Sequence, residues 1–104
     1  MIKLGNLPAQ AGATDRYLLP LGARTLVALN GLAAVLYGAY GRPPTAVDWD
    51  FAIPGQAYMA LPLTGGENVV HLLVAYPGAP PAADVQAVIW ASECAWPPFV
   101  GPVA

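Results

Sequence analysis

The sequence predicts an all-β protein: a single-domain antiparallel β-sandwich, or a small barrel, of roughly six or seven short strands with extended N- and C-terminal arms. Three observations support this prediction. Short apolar runs recur about every 8–12 residues. Glycine and proline, 11 and 12 of the 104 residues, fall between these runs as turn signals. No stretch of about 10–15 residues combines the periodicity of an amphipathic helix with capping residues.

The length predicts one domain, because 104 residues is near the common domain size. Residues 1–14 are predicted to be an N-terminal arm, since glycine, asparagine and proline interrupt any regular pattern there. The β-sandwich core is expected at 15–95. Residues 96–104 are predicted to be a proline-rich C-terminal tail, because proline cannot donate to the hydrogen bonds of a central strand.

The core begins with a predicted strand at 16–21, placed at a sheet edge by Pro20. Apolar runs at 23–29 and 32–37 then flank an Asn-Gly pair. This arrangement predicts a β-hairpin, because both residues tolerate the positive φ of a type I′ turn. One helix over the same region is the alternative, since Leu and Ala favour helices. The nearby valines and glycines favour strands.

Four further strands are expected. Residues 46–53 alternate apolar with polar side chains, which predicts a strand with one wet face. Another strand is predicted at 56–63. Residues 68–76 form a nearly continuous apolar run, typical of a strand covered on both faces. The last predicted strand of the core is 84–91.

The composition indicates a protein that is covered by other chains. Hydrophobic residues make up 57% of the sequence and charged residues only 10%, whereas an ordinary domain has about 25% charged residues. So few charges cannot cover the surface of a small domain. A large exposed apolar patch commonly marks an interface, and the sequence therefore predicts packing against other protein chains.

Charge and cysteine content argue against several classes of function. The net charge is −2 and the four cations are well separated, so nucleic-acid binding is not expected. The single cysteine, Cys94, rules out an intramolecular disulfide and a cysteine-based zinc site. We expect a buried free thiol, with an intermolecular bridge as the alternative. The first residues lack the apolar region of a signal peptide.

Residues 25–41 carry no formal charge, which raises the alternative of a small membrane protein. The stretch is shorter than the about 20 residues that a membrane-spanning helix needs, and the Asn-Gly pair lies within it. Low charge is also a property of the whole chain rather than of this stretch. A membrane is therefore not the expected partner.

The residues that could carry chemistry lie in unfavourable contexts. Asp48 and Asp50 could bind an ion, but without a third acidic residue nearby they indicate a solvated strand face. His71 lies in an apolar strand, and neither Ser92 nor Cys94 belongs to a nucleophile motif. We therefore predict no catalytic residue, no metal site, no cofactor and no enzymatic activity.

The aromatic residues suggest one further alternative, a carbohydrate-binding or adhesin-like β module. Several of Trp49, Tyr58, Trp90 and Trp96 would then be coplanar and exposed, as a platform on which sugars stack. Packing in the core and at interfaces is the more general role of such side chains.

The chain resembles the small virion structural proteins of tailed phages, of the head-decoration or cement kind. The resemblance rests on the small-residue segment 5–12, the compact β core, the Trp96-Pro-Pro-Phe99 tail and the charge-poor composition. It implies a homo-oligomer that covers and stiffens a larger protein shell, such as a capsid or a tail, and therefore a virion location. The apolar arm residues are the candidate interface: Leu4, Leu7, Trp96, Phe99 and Val100.

Overall fold

The computed structural model describes residues 2–7, 12, 14–32, 34–64, 66–75 and 87–102. These residues contain nine β-strands and no helix, which confirms the all-β prediction with more strands than the six or seven expected. The strands are β1 (Ile2–Leu7), β2 (Thr14–Leu18), β3 (Thr25–Asn30), β4 (Val35–Tyr40), β5 (Phe51–Ile53), β6 (Ala57–Pro62), β7 (Val69–Ala75), β8 (Ala87–Ser92) and β9 (Phe99–Pro102).

The strands form two antiparallel sheets that pack as a sandwich. The five-stranded sheet has the order β1-β8-β3-β6-β9 and the four-stranded sheet the order β2-β7-β4-β5. The first strand pairs with the eighth, the second with the seventh, the third with the sixth and the fourth with the fifth. The first eight strands are therefore one long antiparallel hairpin rolled onto itself, which is the jelly-roll arrangement. Strand β9 extends the sheet beside β6.

Apolar side chains from alternate positions of both sheets fill the core. From the five-stranded sheet come Leu7, Leu26 and Ile89, and from the four-stranded sheet come Leu36, Ile53, Val70, Leu72 and Val74, all at most 1% exposed. Burying a side chain of this size contributes about 1.5–3 kcal/mol. The period of two that predicted these strands is also what directs the apolar residues inward.

The predicted hairpin at 30–31 is wrong, because β3 and β4 lie in different sheets. Gly31 is not among the described glycines with positive φ, so the type I′ turn is absent. The connection instead crosses from one sheet to the other. The membrane helix considered for 25–41 is wrong as well, since these residues form β3 and β4. No helix in the described part of the chain is long and apolar enough to cross a membrane.

Within the N-terminal arm predicted at 1–14, residues Ile2–Leu7 form β1, and β2 begins only at Thr14. Strand β1 pairs with β8 along its length, with one irregularity between Lys3 and Gly5. Leu7 is fully buried. Gly5 faces the ring of Tyr17 on the opposite sheet, where an added Cβ would lie 2.5 Å from a ring carbon. The small residue Gly5 in this segment therefore allows β1 and β2, which lie in different sheets, to approach closely.

The strand predicted at 46–53 is shorter than expected, since only Phe51–Ile53 is a strand. The preceding residues form a loop in which the hydroxyl of Thr45 accepts hydrogen bonds from the backbone N–H groups of Val47 and Asp48. Val47 is therefore 94% exposed instead of buried. At the other end of the chain, part of the predicted tail forms the edge strand β9.

Candidate functional site: the outer face of the five-stranded sheet

The five-stranded sheet turns a second set of alternate side chains away from the core, among them Lys3, Asn6, Thr25 and Ser92. We call the large apolar members of this set, with Ala60 and the adjacent Trp96, the aromatic face: Val27, Leu29, Tyr58, Ala60, Val88, Trp90, Trp96 and Phe99. Strands β3, β6, β8 and β9 contain no Asp, Glu, Lys or Arg residue. The side of an antiparallel sheet that faces water normally carries polar side chains. The aromatic face carries mostly apolar ones, so it has the composition of an interface.

One row of the aromatic face runs straight across the sheet. Trp90 is opposite Val27, Val27 is opposite Ala60, and Ala60 is opposite Phe99. Val27 and Ala60 are only 8% and 4% exposed, although neither belongs to the core between the sheets. Neighbouring side chains therefore already cover Val27 and Ala60, and Lys3 lies at the outer end of the row.

An aromatic pair stands on the β9 side of this face. The rings of Tyr58 and Phe99 have centroids 5.0 Å apart and planes tilted by 35°. The Phe99 ring lies over Gly101, where an added Cβ would come within 2.5 Å of it. Tyr58 and Phe99 are 39% and 46% exposed. The pair is held by its own contacts, which are worth about 0.5–1.5 kcal/mol beyond burial, and it still presents a large apolar area to solvent.

Two hydroxyl groups fix Trp96 at the end of the aromatic face. Thr25 and Ser92 face each other across β3 and β8. The Thr25 hydroxyl donates to the carbonyl of Cys94 (2.7 Å) and accepts from the backbone N–H of Trp96 (3.0 Å). The Ser92 hydroxyl accepts from the backbone N–H of Cys94 and from the indole Nε1 of Trp96, both at 3.1 Å. The indole is thus held in one orientation while 40% exposed.

The ionised groups of the β4–β5 loop are paired with one another. Arg42 bonds to Asp48 at 3.1 Å and to Asp50 at 3.0 Å. The hydrogen bonds from Arg42, followed by that from the Tyr40 backbone N–H, hold the pKa of Asp50 below its usual value. The same two carboxylates raise the pKa of Arg42. Burial, with the charges of Glu67 and Asp50, raises the pKa of Tyr40 to about 12.

Asp48 and Asp50 therefore do not line a strand face, and both carboxylates are paired with Arg42. No group of three His, Cys, Asp or Glu side chains in the described residues is arranged to hold a metal ion. The sequence indicated a solvated pair of carboxylates. It did not indicate Arg42, and the available signal was an arginine six and eight residues before two acids, which its guanidinium can bind.

The structure separates the residues considered for catalysis. His71 lies on the outer side of β7, beside Arg16 of β2, in an open groove of about 340 Å³ that also contacts Pro43 and Pro44. Ser92 lies on the outer side of the other sheet, at 5% exposure. Cys94 is exposed, so its predicted burial is wrong. It follows the end of β8, in the turn that carries Trp96, and no strand covers it.

Trp49 lies apart from the other three aromatic residues considered for sugar binding. It precedes β5 and stacks on Tyr37 of β4, with ring centroids 5.7 Å apart and planes inclined by 29°. Tyr58 and Trp90 are on the five-stranded sheet, and Trp96 lies beside that sheet, bonded to Ser92. A platform that includes Trp49 with the other three is therefore excluded.

The predicted interface residues also have separate locations. Trp96 and Phe99 belong to the aromatic face. Val100 is 54% exposed, but alternation turns it to the other side of β9. Leu4 packs partly buried against the core, and Leu7 is fully buried, so it is not available to a partner. Leu7 belongs to β1, opposite Ala87, on the side of the strand that faces the core.

Sequence reasoning missed the central members of the face, above all Val27, Tyr58 and Trp90. The sequence did contain a signal for them, since residues 57–62 and 87–92 have no charged side chain on either side of the strand.

No protein-family model matches the sequence, and comparison with curated proteins and with solved structures finds no match.

Proposed function

We propose that the chain is a non-enzymatic structural protein that assembles with copies of itself and packs on a larger protein shell, in the role of a virion decoration or cement protein. One observation carries this proposal: the aromatic face is uncharged along four of its five strands and keeps three rings about two-fifths exposed. Aromatic residues are enriched, and charged residues depleted, at the centre of protein interfaces.

The edge strands are protected against pairing with strands of another chain, which favours association through the faces of the sheets. The edge strand β9 is preceded by prolines and ends in Pro102, which cannot donate to a neighbouring strand. Strand β1 has an irregularity between Lys3 and Gly5, and β2 carries Asp15 and Arg16. Irregular, charged and proline-containing edges are how proteins prevent edge-to-edge pairing. The broad faces have no such protection.

The architecture is compatible with this role without defining it. Jelly rolls form viral capsid domains and lectin domains alike, so the fold gives an analogy and the surface gives the argument. A face built from rigid rings, held by the hydrogen bonds of Thr25 and Ser92, loses little side-chain entropy when it is covered.

Light scattering coupled to size exclusion tests the proposal across about 1–100 µM, the range in which weak and moderate interfaces form. We expect a mass that is a multiple of the 10.7 kDa chain. A monodisperse monomer over the whole range would contradict it. In purified particles from the source, the chain is expected at a copy number comparable with that of the shell subunit.

A carbohydrate-binding or adhesin-like module is the second candidate, because Tyr58, Trp96 and Phe99 are exposed on one face. The 35° tilt between the Tyr58 and Phe99 rings is unfavourable for a flat sugar ring lying on both. Titration with glycans, monitored by tryptophan fluorescence, separates the candidates. Saturable quenching that Trp96→Ala abolishes would favour the module over the assembly protein.

A further inference from the structure

We infer that the aromatic face is the surface on which two copies of this chain pair, face to face about a two-fold axis. The inference rests on the proposed function, since it names the surface that makes the homo-oligomer. It commits to a second copy as the occupant of the face, and the arguments are charge, area and relief.

The charge argument concerns self-complementarity. In a two-fold interface the same patch meets itself, so each charge on it approaches an identical charge. Like charges brought together across an interface cost several kcal/mol. The aromatic face has Lys3 only at its β1 margin, and its four remaining strands carry no charged residue. The outer side of the four-stranded sheet carries Arg16 and His71 in register with each other. Among the strand residues, each outer face thus has one formal charge, on an edge strand. The five-stranded face differs in having the exposed rings of Tyr58 and Phe99, with Trp96 beside them, next to strands that carry no charge.

The area argument compares the sheet with a stable interface, which buries about 800 Å² on each partner. The molecule measures 38 × 29 × 20 Å, and its two sheets stack about 10 Å apart across the short dimension. The broad side is large enough for a standard interface only when nearly all of it takes part. The pairing therefore has little area to spare, and one charge placed within it is expected to dissociate the copies.

The relief of the face comes from its exposed rings. Tyr58, Trp96 and Phe99 are 39%, 40% and 46% exposed, whereas Val27 and Ala60 are already covered by their neighbours. Large rings that become buried at the centre of an interface contribute much of its energy. Two-fold symmetry places the same rings on both copies, so each pairing buries them twice.

The test compares two charged variants of the face with a matched variant elsewhere. Tyr58→Glu and Trp96→Glu are each expected to weaken pairing at least about 100-fold in analytical ultracentrifugation, because a charge would be buried against its own copy. Leu18→Glu is the control: Leu18 is 78% exposed, on the outer side of the other sheet. We expect its dissociation constant to stay within about twofold of the wild-type value.

A second readout reports directly on the face. In a Trp49→Phe background the remaining tryptophans, Trp90 and Trp96, both lie on the aromatic face. Their emission is expected to shift to longer wavelength on dilution, with the midpoint that ultracentrifugation gives. Circular dichroism checks the fold of each variant. Trp96 lies in a turn outside the strands, so Trp96→Glu leaves the sheets intact even where Tyr58→Glu weakens β6.

The outcomes separate this inference from the proposed function. An oligomeric wild type whose mass survives both Tyr58→Glu and Trp96→Glu overturns the inference and leaves the assembly role standing. A trimer, or dissociation by Leu18→Glu instead, also overturns it. A wild type that stays monomeric overturns both. Dissociation by the two face variants, with Leu18→Glu still paired, supports the two-fold pairing.

Discussion

At the scale of single residues, Asn30 shows how one amide organises the crossover between the sheets. Its side chain is fully buried. The amide nitrogen lies within hydrogen-bond distance of the carbonyl oxygens of Ala34 (2.8 Å), Pro54 (3.0 Å) and Ile53 (3.1 Å). The amide oxygen accepts from the backbone N–H of Leu32 at 3.1 Å. One side chain thus provides hydrogen-bond partners for backbone carbonyls in the β3–β4 and β5–β6 regions. This contributes to stability because a buried polar group without a hydrogen bond costs about 1–3 kcal/mol of folding free energy.

Asn30→Asp is expected to destabilise the protein by about 3 kcal/mol or more, because a carboxylate of the same size would face three carbonyl oxygens and donate no hydrogen bond to them. Urea unfolding at neutral pH measures the free energy. The matched control is Asn68→Asp at an exposed position, which is expected to stay within about 0.5 kcal/mol. Equal small effects at both positions would show that the buried amide contributes no special stability.

The role of Asn30 could not be predicted from the sequence, because its acceptors on Ile53 and Pro54 lie 23 and 24 residues away. The local pattern, asparagine then glycine between apolar runs, is the same for a hairpin and for this crossover. What differs is whether the amide meets water or a second connection, and that depends on the tertiary fold.

At the scale of elements, strands that show a regular alternation or a continuous apolar run were predicted to within a few residues. Strand β6 occupies most of the predicted 56–63, and β7 lies within 68–76. The prediction failed at 46–50, where alternation is equally regular. There the acidic residues are bound by Arg42, and the loop hydrogen bonds of Thr45 replace those of a sheet. An alternating sequence shows that a segment could form a strand with one polar face. It does not show whether another strand lies beside the segment to pair with it.

The β4–β5 loop leads to a prediction about pH. Asp50 has a lowered pKa in the folded protein, so its contribution to stability is present above its unfolded pKa of about 3.9 and is lost as the pH falls further. Wild type is therefore expected to be more stable than Asp50→Asn at neutral pH, with the difference shrinking as the pH falls below the unfolded pKa and through the lower folded pKa. Urea midpoints measured across this range test it.

The control for this prediction is the Arg42→Gln background. Without the guanidinium, the main cause of the lowered pKa is gone, and Asp50→Asn is expected to change the midpoint little at any pH. A difference that persists in that background would assign the effect to the Tyr40 backbone hydrogen bond instead.

The two terminal strands make opposite predictions. A variant lacking residues 2–7 is expected to lose at least about 3 kcal/mol, since it removes the fully buried Leu7 as well as a ladder of hydrogen bonds to β8. A variant lacking residues 97–104 removes β9, in which no described side chain is buried, and is expected to lose less than about 2 kcal/mol. Thermal unfolding compares the two. Cooperative unfolding of the first variant near the wild-type temperature would show that 2–7 is a dispensable arm.

At the scale of the whole molecule, the fold class followed from the sequence and the strand order did not. The spacing of apolar runs and turns is a local property, and it predicted a sandwich. The pairing of β1 with β8 joins residues at least eighty positions apart in sequence. Many orders of nine strands would bury the same side chains. The shortage of charge was also visible in the composition, but only the register shows which exposed rings lie together on one face.

An assembly held by the aromatic face is expected to respond to solution conditions as an apolar contact does. Ion pairs weaken as salt screens them, whereas the burial of apolar surface strengthens in sulfate and weakens on cooling. We therefore expect the dissociation constant to change less than about threefold between about 0.05 and 1 M sodium chloride. It is expected to fall in ammonium sulfate and to rise on cooling.

Sedimentation velocity over a dilution series measures these three responses on the same protein. The Leu18→Glu variant, altered outside the face, is expected to follow the wild type in each of them. A dissociation constant that rises tenfold or more with sodium chloride would assign the association to charged groups, of which the face has only Lys3 at its margin. The two-fold pairing of uncharged faces would then be untenable, because nothing within those faces responds to ionic strength on that scale.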